Sequence, residues 1–82
     1  MRVKESTVTR ATRHIEDLEQ AANRLEAIKR KLQDTVQRQK LVDESTAVSI
    51  SIIERTVVSQ AIQKVQYAAA LLTEIRDNAR ST

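Results

Sequence analysis

The chain has 82 residues, which bounds it at one small domain, and a compact chain of that length buries only about 60–65% of the surface its unfolded form exposes. It contains no Gly, Pro, Cys, Trp or Phe, so disulfides, thiolate nucleophiles and thiolate metal sites are excluded, and its single Tyr leaves no aromatic platform for stacking bases. Fourteen Lys and Arg against eleven Asp and Glu give a net charge of +3, a mild excess that permits phosphate contacts without pointing to them.

Glycine and proline are the usual punctuation of turns and helix ends, and a chain with neither has few breaks. It reads as all-α. No run of 18 or more apolar residues is present, and the basic N-terminus, MRVKESTVTR, is not followed by an apolar stretch. The expectation is a protein without a membrane span or a conventional cleaved signal, cytoplasmic or exported by a route that reads no such signal.

Residues 1–6 are polar, with Val3 the only aliphatic side chain, and predict a frayed end. Ser6, Thr7 and Thr9 are each able to cap a first helix over about residues 7–40. From Val8 the pattern becomes regular: Val8, Ala11, Ile15, Leu18, Ala22, Leu25, Lys29, Leu32 and Val36 alternate steps of three and four, a heptad seam with one polar interruption at Lys29. Ala21 and Ile28 widen that stripe, and His14 lies at its edge. The opposite face is charged, with Arg13–Asp17, Glu26–Arg30 and Arg30–Asp34 at supportive spacings.

Lys40 to Thr46 is the most polar, turn-capable stretch, and Asp43, Ser45 and Thr46 suit a turn over about residues 41–47. Val48, Ile50 and Ile52 alternate with Ser49 and Ser51, a period of two that fits a strand as well as a helix start. Ser51 and Glu54 have the spacing of a capping box, which places the start of the second helix between residue 48 and Ile52.

The second helix, to about residue 79, is more apolar than one partner face requires. Ile53, Val57, Ala61, Val65, Ala68, Leu72, Ile75 and Ala79 step at close to 3.6 residues, with Val58, Ile62, Ala69 and Leu71 beside them. Ala61, Ala68, Ala69 and Ala70 are small enough to let another backbone approach. Two helices of about 30 residues, each roughly 45 Å long, make an antiparallel hairpin in a single domain. Its apolar surplus predicts completion of a four-helix bundle by self-association or with a partner protein.

The surfaces expected to carry that partnership are Val58, Ile62, Val65, Tyr67, Ala69, Leu72 and Ile75 on the second helix, with Leu18, Leu25, Ile28 and Leu32 on the first. Tyr67, the lone aromatic, suits an interface because its ring packs while its hydroxyl stays wet. Catalysis has no foothold: there is no second histidine beside His14, no Gly-rich phosphate loop, and no base near the hydroxyls of Ser45–Ser51. No cofactor, metal or small-molecule substrate is expected. The basic run Lys29, Arg30, Lys31 reads as a solvated helix face rather than a phosphate contact.

The layout resembles the WXG100 superfamily of small helical-hairpin substrates of type VII secretion, and more closely the companion proteins of LXG-domain toxins. The residues that carry the likeness are the segment VKESTV, Ile15, Leu18 and Leu25 in the first helix, the centre at Ser45, Thr46, Ser49 and Ser51, and the closing Leu71, Leu72 and Ile75. The Trp-x-Gly turn of that superfamily has no counterpart here, and Tyr67 is followed four residues on by Leu71 where the export signal has Asp. The resemblance implies a non-enzymatic adaptor that pairs with another helical protein and helps target it for export. Two other readings of the same pattern are a subunit of a helical filament or secretion needle, and a Rop-like dimer that binds nucleic acid through Arg24 to Lys40.

Overall fold

The structure, a computed structural model, describes residues 2–81, and these are helical except for residues 40–43. Helix α1 runs Arg2–Gln39, α2 Glu44–Ile53 and α3 Ser59–Ser81, with a π-helical turn, Glu54–Val58, between α2 and α3. No strand occurs among the described residues, so the alternation from Val48 to Ile52 belongs to a helix. Met1 lies outside the described residues; the rest of the stretch expected to fray, residues 2–6, forms the start of α1.

In α1 all nine heptad positions from Val8 to Val36 are sheltered. Ala11, Ile15, Ala22 and Val36 are buried, and Val8, Leu18, Leu25, Lys29 and Leu32 are half-buried. The polar face is less organised than the spacing of its charges suggests. Arg76 with Asp77, at 3.4 Å, is the ion pair found among the described residues. Arg13–Asp17, Glu26–Arg30 and Arg30–Asp34 do not close, and the Arg30 Nε donates instead to the Glu26 carbonyl at 3.4 Å. Exposed pairs of this kind gain only about 0.2–0.5 kcal/mol, too little to hold two long side chains in one geometry.

The turn is shorter than the polarity of residues 41–47 suggests. Lys40 N–H donates to Val36 O, then Leu41 to Arg38 O and Val42 to Gln39 O, so the last turn of α1 tightens into i to i+3 bonding. Asp43 then caps α2 with an extended backbone, φ −151° and ψ 99°. Its Oδ1 accepts from the N–H groups of Ser45 at 3.1 Å and Thr46 at 3.3 Å, and the Thr46 hydroxyl donates to Oδ2 at 2.6 Å. With Asp43 supplying the cap, the helix begins at Glu44, and Ser51 sits inside it. Further along, hydroxyls bond backward to the carbonyl four residues earlier: Ser49 to Ser45 O and Thr56 to Ile52 O.

The π turn corrects the reading of the second arm. One series of its sheltered positions runs Ala47, Ser51, Glu54, Val58, Ile62, Val65, Ala69, Leu72, Arg76 and Ala79, with Ile50, Ser59, Ala61, Ala68 and Thr73 half-buried beside it. Steps of three and four alternate along this series except at Glu54–Val58–Ile62, where two steps of four follow each other. That is one residue more than a heptad pattern holds. The π turn absorbs it: the Ser59 N–H donates to the Glu54 carbonyl five residues back, and the Ser59 hydroxyl donates to the same oxygen at 3.1 Å. Of the series expected from Ile53, Ala61, Val65, Ala68, Leu72 and Ala79 are half-buried. Ile53, Val57 and Ile75 prove to be exposed, and the neighbouring Glu54, Val58 and Arg76 take the sheltered places.

Contacts divide the chain into two compact units, residues 1–22 with 64–82, and residues 23–63. In the first, Ala11, Ile15 and Ala22 are buried, with Leu18, Val65, Ala69 and Leu72 half-buried. In the second, Val36, Ala47, Glu54 and Ile62 are buried, with Leu25, Leu32 and Val58 half-buried. Among the described residues, half of the buried apolar ones are alanine, and no large side chain is completely enclosed. The chain leaves 6352 Å² accessible. A compact monomer of 9.3 kDa leaves about 5,000 Å², roughly a fifth less.

Candidate interaction surface

The residues expected at a partner interface divide into two sets. Ile62 is buried, and Val58, Val65, Ala69, Leu72, Leu18, Leu25 and Leu32 are half-buried, most of their apolar surface being taken up inside the chain. Tyr67, Ile75 and Ile28 are exposed, at 60%, 52% and 45%. Tyr67 and Ile75 stand with Leu71 at i, i+4 and i+8, one apolar stripe along α3 within the first unit. The surplus of the second helix is therefore carried less by the strip Val58–Leu72 than by residues beside it.

Most of that surplus lies in the unit formed by residues 23–63. Among the described residues, seven of the ten exposed large apolar side chains fall there: Ile28, Leu41, Val42, Val48, Ile52, Ile53 and Val57. The sequence of α2, ESTAVSISII, explains the concentration. After its first turn, its polar residues are two serines, and Ser49 turns its hydroxyl to its own backbone. Ala47 is almost completely buried on the inward side, while Val48 and Ile52 line one flank and Ile53 and Val57 another. A helix apolar around its circumference is stable when neighbours cover it on more than one side.

Two cavities open at this end of the molecule. One, of about 160 Å³, is lined by Val36, Lys40, Glu44, Ala47, Val48, Ser51 and Arg55. The other, of about 220 Å³, is lined by Gln33, Val36, Gln37, Lys40, Ser51 and Glu54. The first has an apolar floor and a charged rim; the second is polar. Glu54 is the one charged residue buried among the described residues, at 5% exposure. Its Oε1 accepts from the Gln33 Nε2 at 2.9 Å, a bond that spans the two arms. A buried carboxylate is costly to leave unpaired, and this amide compensates it.

Sequence reasoning read Glu54 only as the partner of Ser51 in a capping box, and passed over Gln33, Leu41 and Val42. Two aliphatic residues inside an otherwise polar turn were a visible signal for the last pair. A glutamate at a seam position was a signal for Glu54, hidden because the extra residue shifted the pattern. At the cap, the Thr46 hydroxyl and then the Thr46 N–H bond the Asp43 carboxylate and hold its pKa below the usual value.

His14 is exposed, and no group of three metal-ligating side chains stands together among the described residues. Of the basic residues in the stretch from Arg24 to Lys40, Lys29 is half-buried at the seam, while Arg24, Arg30, Lys31, Arg38 and Lys40 are exposed. No helix among the described residues is long and apolar enough to cross a membrane. No protein-family model, curated protein or solved structure matches this chain.

Proposed function

We propose that this protein is a non-enzymatic helical interaction module whose second arm is completed by helices from outside the chain. The observation that carries the reading is α2, apolar on every side and sheltered on one. Val48 at 53%, Ile52 at 48%, Ile53 at 49% and Val57 at 61% exposure are four β-branched side chains in water within ten residues. Covering such a side chain contributes about 1.5–3 kcal/mol when burial is complete, so partner helices on two flanks of α2 have a substantial driving force. The adaptor role in export implied by the resemblance to type VII secretion partners is the more specific form of this proposal.

The test is the mass of the purified protein by light scattering, with thermal melting followed at several concentrations. Either a dimer or tetramer whose melting temperature rises with concentration, or a loosely cooperative monomer that gains stability from a specific helical protein, agrees with the reading. A monomer that melts cooperatively at a concentration-independent temperature overturns it. A second reading, a filament subunit, draws on the separate stripe of Tyr67, Leu71 and Ile75. Two different apolar patches on one chain are what a repeating, non-closing contact uses, and very large, concentration-dependent species in the same experiment are its signature.

A further inference from the structure

We infer that the turn end of the chain is a self-association site, in which Leu41 of one copy seats in the 160 Å³ cavity beside α2 of a second copy. This deepens the proposal above and rests on it. Leu41 and Val42 are the most exposed apolar residues described, at 91% and 82%, in a turn where polar side chains serve the backbone equally well. Their backbone N–H groups help close the turn, but neither side chain is covered within the chain, so their apolar character has its use outside it.

The cavity matches such a side chain in size and chemistry. Val36 and Ala47 are the buried floor, Val48 is a wall, and Lys40, Glu44 and Arg55 stand at the rim. A cavity of about 150 Å³ suffices for a benzene molecule, so a leucine side chain is within its capacity. An apolar floor inside a charged rim is also the arrangement in which a single anchoring residue contributes most to binding.

Charge selects a second copy as the occupant. The chain carries +3 and repels its like over most of its surface. The cavity itself is lined by Lys40 and Arg55 against Glu44, and across residues 36–55 the formal charges balance, Arg38, Lys40 and Arg55 against Asp43, Glu44 and Glu54. A two-fold contact uses the same patch twice, and the plug and socket both lie within residues 36–55, with Lys40 of the rim next to Leu41 in the chain. Two neutral patches related by two-fold symmetry can set the cations of each copy against the anions of the other.

The experiment is sedimentation equilibrium on the full chain and on Leu41→Glu, with disulfide trapping of Val42→Cys and Gln66→Cys in this otherwise cysteine-free sequence. A two-fold contact loses two plugs together, each worth at least about tenfold, so Leu41→Glu is expected to weaken association about 100-fold or more. Helix content stays unchanged, because Leu41 has no intrachain packing to lose. Val42→Cys, at the turn, is expected to form a covalent dimer faster than Gln66→Cys, on exposed surface of α3. Association undiminished in Leu41→Glu, with trapping faster through residue 66, overturns the turn-end site and leaves the helical-module reading in place. Monomers up to millimolar concentration overturn self-association altogether, and if they also melt cooperatively without concentration dependence, the proposed function falls with it.

Discussion

The hydrogen bond from Gln33 to Glu54 makes a sharp test of how the two arms are joined. Gln33 is itself exposed, so truncating it to alanine removes little packing; what it removes is the 2.9 Å bond to a carboxylate that is only 5% exposed. Leaving such an acceptor without its partner costs about 1–3 kcal/mol. For a chain of this size that is a fall in melting temperature of roughly 5–15 °C at fixed protein concentration. Glu54→Leu behaves oppositely. It deletes the buried carboxylate and returns the Gln33 amide to water, so stability is unchanged or rises by up to about 2 kcal/mol. The double variant Gln33→Ala, Glu54→Leu is then close to Glu54→Leu alone, and the coupling between the sites is about as large as the cost of Gln33→Ala. Chemical denaturation monitored by circular dichroism on the four proteins measures all these terms. A silent Gln33→Ala, or a Glu54→Leu as damaging as Gln33→Ala, refutes the account of a costly carboxylate held by one amide.

Two further outcomes follow from the local geometry. Deleting Val57, an exposed residue in the π turn, removes the extra residue spanned by the Ser59 to Glu54 bond and lets that stretch close as ordinary α-helix, so the variant is expected to keep its helicity and cooperative melting. Deleting Gln66 in the regular part of α3 instead turns every later residue by about 100° and moves Ala69 and Leu72 off the inward face, with clear destabilisation by the same assay. At Asp43 the pKa is lowered in the folded chain by Thr46, so its contribution is present above the unfolded carboxylate pKa of about 3.9 and is lost as pH falls through the folded value. Acid titration of the melting temperature should show that loss at the acid end, and Asp43→Asn, which keeps a capping oxygen but cannot titrate, should remove that component of the pH dependence.

The heptad of α1 was fully legible, because nine positions in strict three–four alternation leave one inward face, and all nine are sheltered. The second arm was legible as a helix but not in its facing. Apolar residues surround it, so no stripe stands out, and the one-residue excess at Glu54–Val58 disguises where the inward series resumes. The start of α2 was hidden for a different reason. Serine and threonine serve both as turn residues and, by bonding back to the carbonyl four residues earlier, as tolerated helix residues. Only the Asp43 cap decides between the two. Of the expected interface, Tyr67, Ile75 and Ile28 stand exposed, while the leucine and valine positions chosen with them are mostly engaged within the chain. Hydrophobicity marks what wants cover; it does not say which of two seams receives it from the same molecule.

The backbone has a property with a wider reach. No described residue has a positive φ, and the reversal between the arms is made by tightening the end of α1 and extending a single aspartate. No position in it obliges glycine, so nearly any side chain other than proline is admissible on backbone grounds at each site. Tolerance to substitution is then governed by what each side chain touches, and a complete mutational scan would read as a map of contacts. Chains built this way can diverge widely without retaining an invariant residue. Kinship among them would survive as rhythm: the alternation of sheltered positions in α1 and one supernumerary residue partway along the returning helix.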